Sequence, residues 1–259
     1  MALLEIHNLC QRFGGLQALT DFHIKIENRE FVGLIGPNGA GKTTVFNLVS
    51  GFYAPTAGAI TFDGVPTRGL KPHSVTALGI ARTFQNIRLW NDMTVLDNIR
   101  LARHHWLGYS LWDALLRTKR HGKREADVDK ASWEMLDQME LTSYALEFPK
   151  NLPYGLQRRV ELARALSVKP KLLLLDEPAA GLNSADIDGL IRLVDWIYSE
   201  FDISIWMIEH QMKVVMALCE RILVLNFGSI IAEGDPDQIQ ANPEVIGAYL
   251  GDDTLNAAY

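Results

Sequence analysis

Residues 36–44 read GPNGAGKTT, directly after the apolar run FVGLI and directly before the helix-compatible run TVFNLVS. A strand, a glycine-rich loop and a helix in that order can wrap backbone amides around a phosphate group, with the helix dipole adding to the attraction. Gly36, Gly39 and Gly41 allow the tight path, and Pro37, Asn38 and Ala40 complete the loop. Lys42 would then reach the β and γ phosphates, Thr43 would offer its hydroxyl to Mg²⁺, and Thr44 continues the first turn. A carboxylate at the end of a buried strand should complete such a site, and LLLLDEP at 172–178 supplies one. Asp176 is placed to hold the Mg²⁺ shell, while Glu177 can polarise an attacking water.

Two further polar residues stand where buried strands should end. Gln85 follows the strand-like IARTF, and His210 follows ISIWMIE. Alone, His210 reads as a hydrogen-bonded structural histidine; with the phosphate loop and the carboxylates, it reads as catalytic.

The surrounding elements must bring these residues to one place. Short strands are expected over 3–9, 22–26, 31–35 and 59–62, with turns at Gly14-Gly15, Asn28 and Asp63-Gly64. Thr94 and Asp97 read as a helix start, with the helix running on towards His104, and periodicity resumes from Lys130 to Leu141 through Trp133, Leu136 and Met139. From Lys171 the chain alternates: strand 172–175, helix 184–200, strand 203–208, helix 211–219, strand 222–225. The continuous apolar runs LLLL and ISIWMI are those of strands buried on both faces. The fold class expected is α/β: a P-loop core, an antiparallel β annex early in the chain and a helical subdomain inserted at about residues 90–165. Together, residues 1–250 form one domain, and 251–259 an acidic tail.

Composition narrows the function. A chain of 259 residues that is 48% hydrophobic can bury a large core. A net charge of −6, from 25 basic and 31 acidic residues, gives no field that would draw it to nucleic acid. Cys10 and Cys219 lack the spacing of a zinc or redox pair, and no segment has the apolar length of a membrane span. His104-His105 has no third ligand nearby in sequence for a metal. The basic run RTKRHGKR at 117–124 reads as a solvated helix–helix connection or as a docking surface for protein or lipid head groups. Met207, Met212 and Met216 are expected in core packing.

With these motifs in place, the sequence resembles the ATP-binding cassette ATPases that power membrane transporters, over nearly its whole length. GPNGAGKTT is similar to their Walker A, Gln85 to the Q-loop, LLLLDE to Walker B, Gly181-Leu182-Asn183 to the D-loop and His210 to the switch histidine. The resemblance implies that Phe13 stacks on adenine and that Thr43, Gln85 and Asp176 surround Mg²⁺. RTFQNIRLWNDMTVLDNI, IEHQMKVVM and NPEVIGAYLG look most like the LivG-type cassettes of bacterial branched-chain amino acid importers. Lipopolysaccharide-export cassettes share the RVELARAL-like and YLG-like segments, and urea or amide importers are further alternatives. Soluble cassettes acting on ribosomes or DNA usually carry duplicated cassettes or long arms, and neither is present.

Members of this family dimerise head to tail, each ATP lying between one chain's Walker motifs and the other chain's LSGGQ signature. Here the signature region is Leu152-Pro153-Tyr154-Gly155-Leu156, followed by Gln157. Pro153 replaces a serine whose hydroxyl and amide face the γ-phosphate, and proline has neither donor. It can still occupy the first turn of a helix. Asn183 stands where aspartate is usual, which keeps a hydrogen bond and loses a charge. Glu177 and His210 are intact, so this chain's catalytic half is complete and its contribution to the partner's site is altered. That inequality favours a heterodimer with a second cassette subunit over a homodimer. The resemblance further implies ATP and Mg²⁺ as cofactors, two membrane permease subunits docking near Asn86–Trp90, a periplasmic solute-binding protein acting indirectly, and a peripheral position on the cytoplasmic face of the bacterial inner membrane.

Overall fold

Two sheets organise the chain in the computed structural model, which describes residues 2–103 and 119–250. The first is antiparallel, built from β1 (Leu4–Phe13), β2 (Leu16–Ile26), β4 (Ala57–Phe62) and β5 (Val65–Pro66) in the order β2-β1-β4-β5. The second holds β3 (Phe31–Ile35), β6 (Ile80–Arg82), β7 (Leu172–Asp176), β8 (Ser204–Ile208), β9 (Arg221–Asn226) and β10 (Ser229–Gly234) in the order β10-β9-β3-β8-β7-β6. All neighbours in that sheet are parallel except β9 and β10. β3, β7 and β8 are buried at every position, which is why they carry uninterrupted apolar runs.

The helices are α1 (Lys42–Val49), α2 (Pro72–Leu78), α3 (Val95–Arg103), α4 (Lys119–Gln138), α5 (Tyr154–Ser167), α6 (Ser184–Glu200), α7 (Met212–Leu218), α8 (Pro236–Ala241) and α9 (Pro243–Leu250). The chain divides into two compact units: residues 86–170 form one, and the chain on either side, up to Gln85 and from Lys171, forms the other. The unit holding the sheets has a core of Leu4, Phe22, Phe46, Phe62, Trp206 and their neighbours. In the 86–170 unit, α3, α4 and α5 pack together and bury Leu96, Ile99, Leu136 and Val160.

Several boundaries differ from expectation for identifiable reasons. β1 and β2 extend to the Gly14-Gly15 turn because cross-strand pairing with bulges carries polar residues such as Gln11 and Arg12 along with the apolar ones. α4 is described from Lys119 and ends at Gln138, short of Leu141, with Glu140 just beyond it at a left-handed φ of 54°. Trp133 lies on its exposed side and Leu136 on its buried one. α2, α8, α9, β5 and β10 were not expected; each is short, and too few periods are present to mark it. Thr94 starts α3 as expected, accepting a hydrogen bond from the Asp97 amide at 3.1 Å. Met207 is in the core, whereas Met212 and Met216 are only half-buried.

The expectations at His104-His105, at residues 117–118 of the basic run and in the 251–259 tail lie outside the described residues. Among the described residues no helix is long and apolar enough to cross a membrane, no group of three metal-ligating side chains occurs, and both cysteines are free.

Candidate functional site

Parallel register creates the site. Leu34 of β3 pairs with Ile208 of β8, Ile208 pairs with Asp176 of β7, and Leu174 of β7 pairs with Arg82 of β6. The strands therefore stop together, and the loops that leave them begin at Gly36, Glu209, Glu177 and Thr83 along one edge of the sheet. Ligand sites in open parallel sheets form at this carboxyl edge.

The 36–41 loop is braced from outside. The Gly228 amide donates to the Ala40 carbonyl at 2.9 Å, and the Gly228 carbonyl accepts from Thr20. Gly36 has φ 150°, and a Cβ there would stand 2.0 Å from the Leu225 carbonyl oxygen; at Gly41, with φ 107°, it would stand 2.8 Å from the Ala18 oxygen. Both positions need glycine for space as well as for backbone conformation. The buried Lys42 ammonium donates to the carbonyls of Gly36 and Pro37 at 2.5 and 2.9 Å, so it rests across the loop it would leave to meet phosphate. Thr43 is exposed and Thr44 half-buried in the first turn of α1, and Asn38 and Gly39 are exposed at the loop's tip.

Glu177 lies just past β7 with a left-handed φ of 47°, its amide donating to the Ile208 carbonyl at 2.9 Å. This unfavourable backbone turn redirects the chain immediately after Asp176. The Gln85 amide donates to Glu177 Oε2 at 2.6 Å, and His210 Nδ1 lies 3.8 Å from the same oxygen. Three residues from three loops thus meet at one carboxylate. Gln85, expected beside the metal, is bonded here to Glu177. Phe13, at the end of β1, is 40% exposed and packs in a T-shaped pair with Tyr53, ring centroids 5.3 Å apart.

Several supporting residues were missed in the sequence. Glu209, fully buried, accepts hydrogen bonds from the amides of Ala179 at 2.8 Å, His210 at 2.8 Å and Gln211 at 3.0 Å, tying the loop after Glu177 to the loop that carries His210. Arg82 and Thr83 both bond Asp176: the guanidinium donates to Oδ2 at 2.7 Å, and the Asp176 amide donates to the Thr83 hydroxyl at 3.3 Å. For Glu209 and Arg82 the advance signal was a charged residue inside, or directly after, an apolar run; Thr83 carried none.

In the 86–170 unit, Leu152 is buried and Pro153, Tyr154 and Gly155 are exposed. Pro153 is the N-cap of α5, with φ −53° and ψ 149°, and so lies one position before the first turn in which it was expected. The first intrahelical bond at this end runs from the Gln157 amide to the Pro153 carbonyl at 3.0 Å. Gln157 turns back to donate to the Leu152 carbonyl at 2.8 Å. Gly155 faces open space. Arg158 bonds the Tyr154 hydroxyl at 3.1 Å and the fully buried Glu161 at 2.8 Å, and Glu161 accepts from the Arg88 amide at 3.4 Å. The 86–90 loop and the start of α5 therefore share one hydrogen-bond network. Buried Asn98 also braces that loop by bonding both backbone groups of Trp90, a residue that is 57% exposed.

In the 181–183 segment, expected as the D-loop, Gly181 has φ 77°, Leu182 is half-buried, and exposed Asn183 caps α6 by accepting from the Asp186 amide at 3.0 Å and donating to its carboxylate at 2.7 Å.

Comparison with known proteins is consistent with this arrangement. The family described as ABC transporter matches residues 19–180, and the one described as branched-chain amino acid ATP-binding cassette transporter matches residues 229–254. The chain is 44% identical to the high-affinity branched-chain amino acid transport ATP-binding protein BraF of Pseudomonas aeruginosa, over 96% of this chain and 98% of that one. It is 43% identical, with the same coverage, to the LivG protein of Escherichia coli K12, which carries the same description. Among solved structures, the ADP conformation of an ATP-binding cassette from an ABC transporter superposes with a TM-score of 0.83 at 30% identity, covering 97% of this chain and all of that one. A dimeric post-hydrolysis cassette bound to ADP and phosphate gives 0.74 at 26% identity, covering 90% and 98%.

Proposed function

Because the chain belongs to the ABC transporter family, we propose that it is the ATP-hydrolysing subunit of a bacterial importer of branched-chain amino acids. The observation that carries the catalytic part is the meeting of Gln85, Glu177 and His210 at one carboxylate oxygen beside the phosphate loop. Lys42 and the backbone N–H groups of the 36–44 loop other than Pro37 bind the phosphates, and Phe13 covers adenine. The site fits a metal nucleotide: the loop has no room for side chains at Gly36 and Gly41, while Thr43 and Asp176 supply hard oxygen donors. Mg²⁺, when bound, neutralises charge on the phosphate oxygens. Glu177 orients and deprotonates the attacking water, Gln85 holds Glu177, and His210 stabilises the charge that develops on the phosphate.

The solute assignment rests on the C-terminal match and on the relatives' names. The partners are two membrane permease subunits, received at Asn86–Trp90, with a periplasmic binding protein delivering the solute. The network from Arg88 through Glu161 and Arg158 to Tyr154 supports this loop as the place where permease movement meets the start of α5. The assembly sits on the cytoplasmic face of the inner membrane.

The second cassette in the pair is a different subunit. Residues 152–157 of this chain face the partner's ATP, where the positive end of the α5 dipole attracts phosphate and Pro153 supplies no donor. ATPase and leucine uptake measured in reconstituted vesicles, with this chain alone and with a second cassette co-expressed, test the assignment. Activity is expected only with the pair, and full uptake by a homodimeric assembly rejects the heterodimer.

Pro153→Ser restores an N-cap hydroxyl. One added hydrogen bond to a charged group contributes about 1.5–3 kcal/mol, so ATP-driven closure at the partner's site should tighten about ten-fold or more. Closure is read by crosslinking across the dimer as ATP is titrated; an unchanged midpoint removes Pro153 as the cause of a weak site.

A further inference from the structure

Arg82 sits at the end of β6 and is not accounted for by phosphate binding or by the Glu177 cluster. Its guanidinium donates to Asp176 Oδ2 at 2.7 Å, to Asn47 Oδ1 at 2.8 Å and to the Ser50 hydroxyl at 3.2 Å. The Arg82 and Asp176 side chains are each 6% exposed, so the pair is shielded from water. Three aromatic rings surround the cation, Phe84 at 5.0 Å, Phe46 at 5.6 Å and Phe52 at 5.9 Å from their centroids. Asn47 and Ser50 belong to α1 and its C-cap, the helix that begins with Lys42 and Thr43. One planar group therefore bonds the carboxylate at the end of β7 and the helix that grows out of the phosphate loop.

We propose that Arg82 is a positioning residue for the metal nucleotide, fixing Asp176 relative to α1. This rests on the reading of Asp176 and Thr43 as the Mg²⁺ side of the site. By taking Oδ2, Arg82 holds one carboxylate rotamer and leaves Oδ1 as the oxygen available to the metal shell. The Asp176 backbone is already fixed by its amide bond to the Thr83 hydroxyl, so the side-chain torsions are what the guanidinium settles. Through Asn47 and Ser50 it sets the spacing between that oxygen and the first turn of α1. A planar fork with several fixed donors can hold these three acceptors together, and a lysine ammonium on a flexible stem cannot. Partners in the shell behind a metal ligand typically alter metal affinity about 10–100-fold when lost.

The test uses the full-length chain and its assembled pair carrying Arg82→Lys, which keeps the buried charge, with Asn47→Ala as a second variant that leaves Arg82 and Asp176 in place. Thermal melting is followed with ATP plus EDTA and with ATP plus Mg²⁺, and ATPase activity is titrated with Mg²⁺ at saturating ATP. In Arg82→Lys, the ATP–EDTA shift should match wild type, the added shift from Mg²⁺ should shrink, and half-saturating Mg²⁺ should rise about ten-fold or more. Asn47→Ala should raise half-saturating Mg²⁺ by a smaller factor. A wild-type Mg²⁺ midpoint in both variants, even with a lower melting temperature, overturns the proposal and leaves Arg82 as core packing. If wild type itself shows an ATP–EDTA shift and no further response to Mg²⁺, the reading of the metal site fails instead.

Discussion

Glu177→Gln lowers the ATPase rate of the assembled pair by about 10²–10⁴-fold, the usual contribution of a positioned general base, and leaves ATP binding close to wild type. The glutamine amide fills the same space beside Gln85 and His210 and cannot accept the proton of the attacking water. Glu177 makes no part of the phosphate loop, whose own bonds run through residues 36–42, Thr20 and Gly228. Affinity is therefore expected to be spared while hydrolysis fails, and the pair should accumulate in the ATP-bound closed form. Phosphate release, nucleotide binding and the closed fraction together check this. A rate within about ten-fold of wild type would falsify the general-base assignment, which predicts about 10²-fold or more.

Glu209→Ala has the largest expected effect on stability. Its carboxylate accepts from three backbone amides and is fully buried, so truncation strands the 179, 210 and 211 N–H groups away from water. Each unsatisfied buried donor costs about 1–3 kcal/mol, giving a loss of about 3 kcal/mol or more. For a body of this size that corresponds to a melting temperature lower by roughly 10 °C. Hydrolysis should fall as well, because His210 loses the anchor of its own backbone while Lys42 and the loop keep theirs. Glu209→Gln retains one acceptor oxygen and should lie between the two. Calorimetry gives the first quantity and the single-turnover rate the second; an Ala variant with wild-type melting and turnover would show that the clamp is dispensable.

Much of the fold was legible because burial on both faces leaves a local signature. FVGLI, LLLLD and SIWMI announced β3, β7 and β8, and the end of each apolar run placed Gly36, Glu177 and His210 at or just past strand ends. Short edge elements such as β5, β10 and α8 left no comparable trace, because a few residues without a full period are set by what they pack against. Pro153 shows the same limit at one residue. A helix start was visible in the sequence, but the choice between N-cap and first turn depends on ψ 149°, which no residue type specifies.

The sequence by itself determined the chemistry available: a glycine loop ending in Lys42 and Thr43, two adjacent carboxylates, a glutamine, a histidine and an altered 152–157 segment. Those assignments rest on residue types at close spacing, where the chain's covalent geometry does most of the positioning. Tertiary structure alone decided which groups hold them. Arg82 meets Asp176 across 94 residues, Gln85 meets Glu177 across 92, and Glu209 meets Ala179 across 30. Such pairs leave no mark in spacing, because their geometry comes from the parallel register of β6, β7, β8 and β3, fixed by burying apolar side chains on both faces of the sheet.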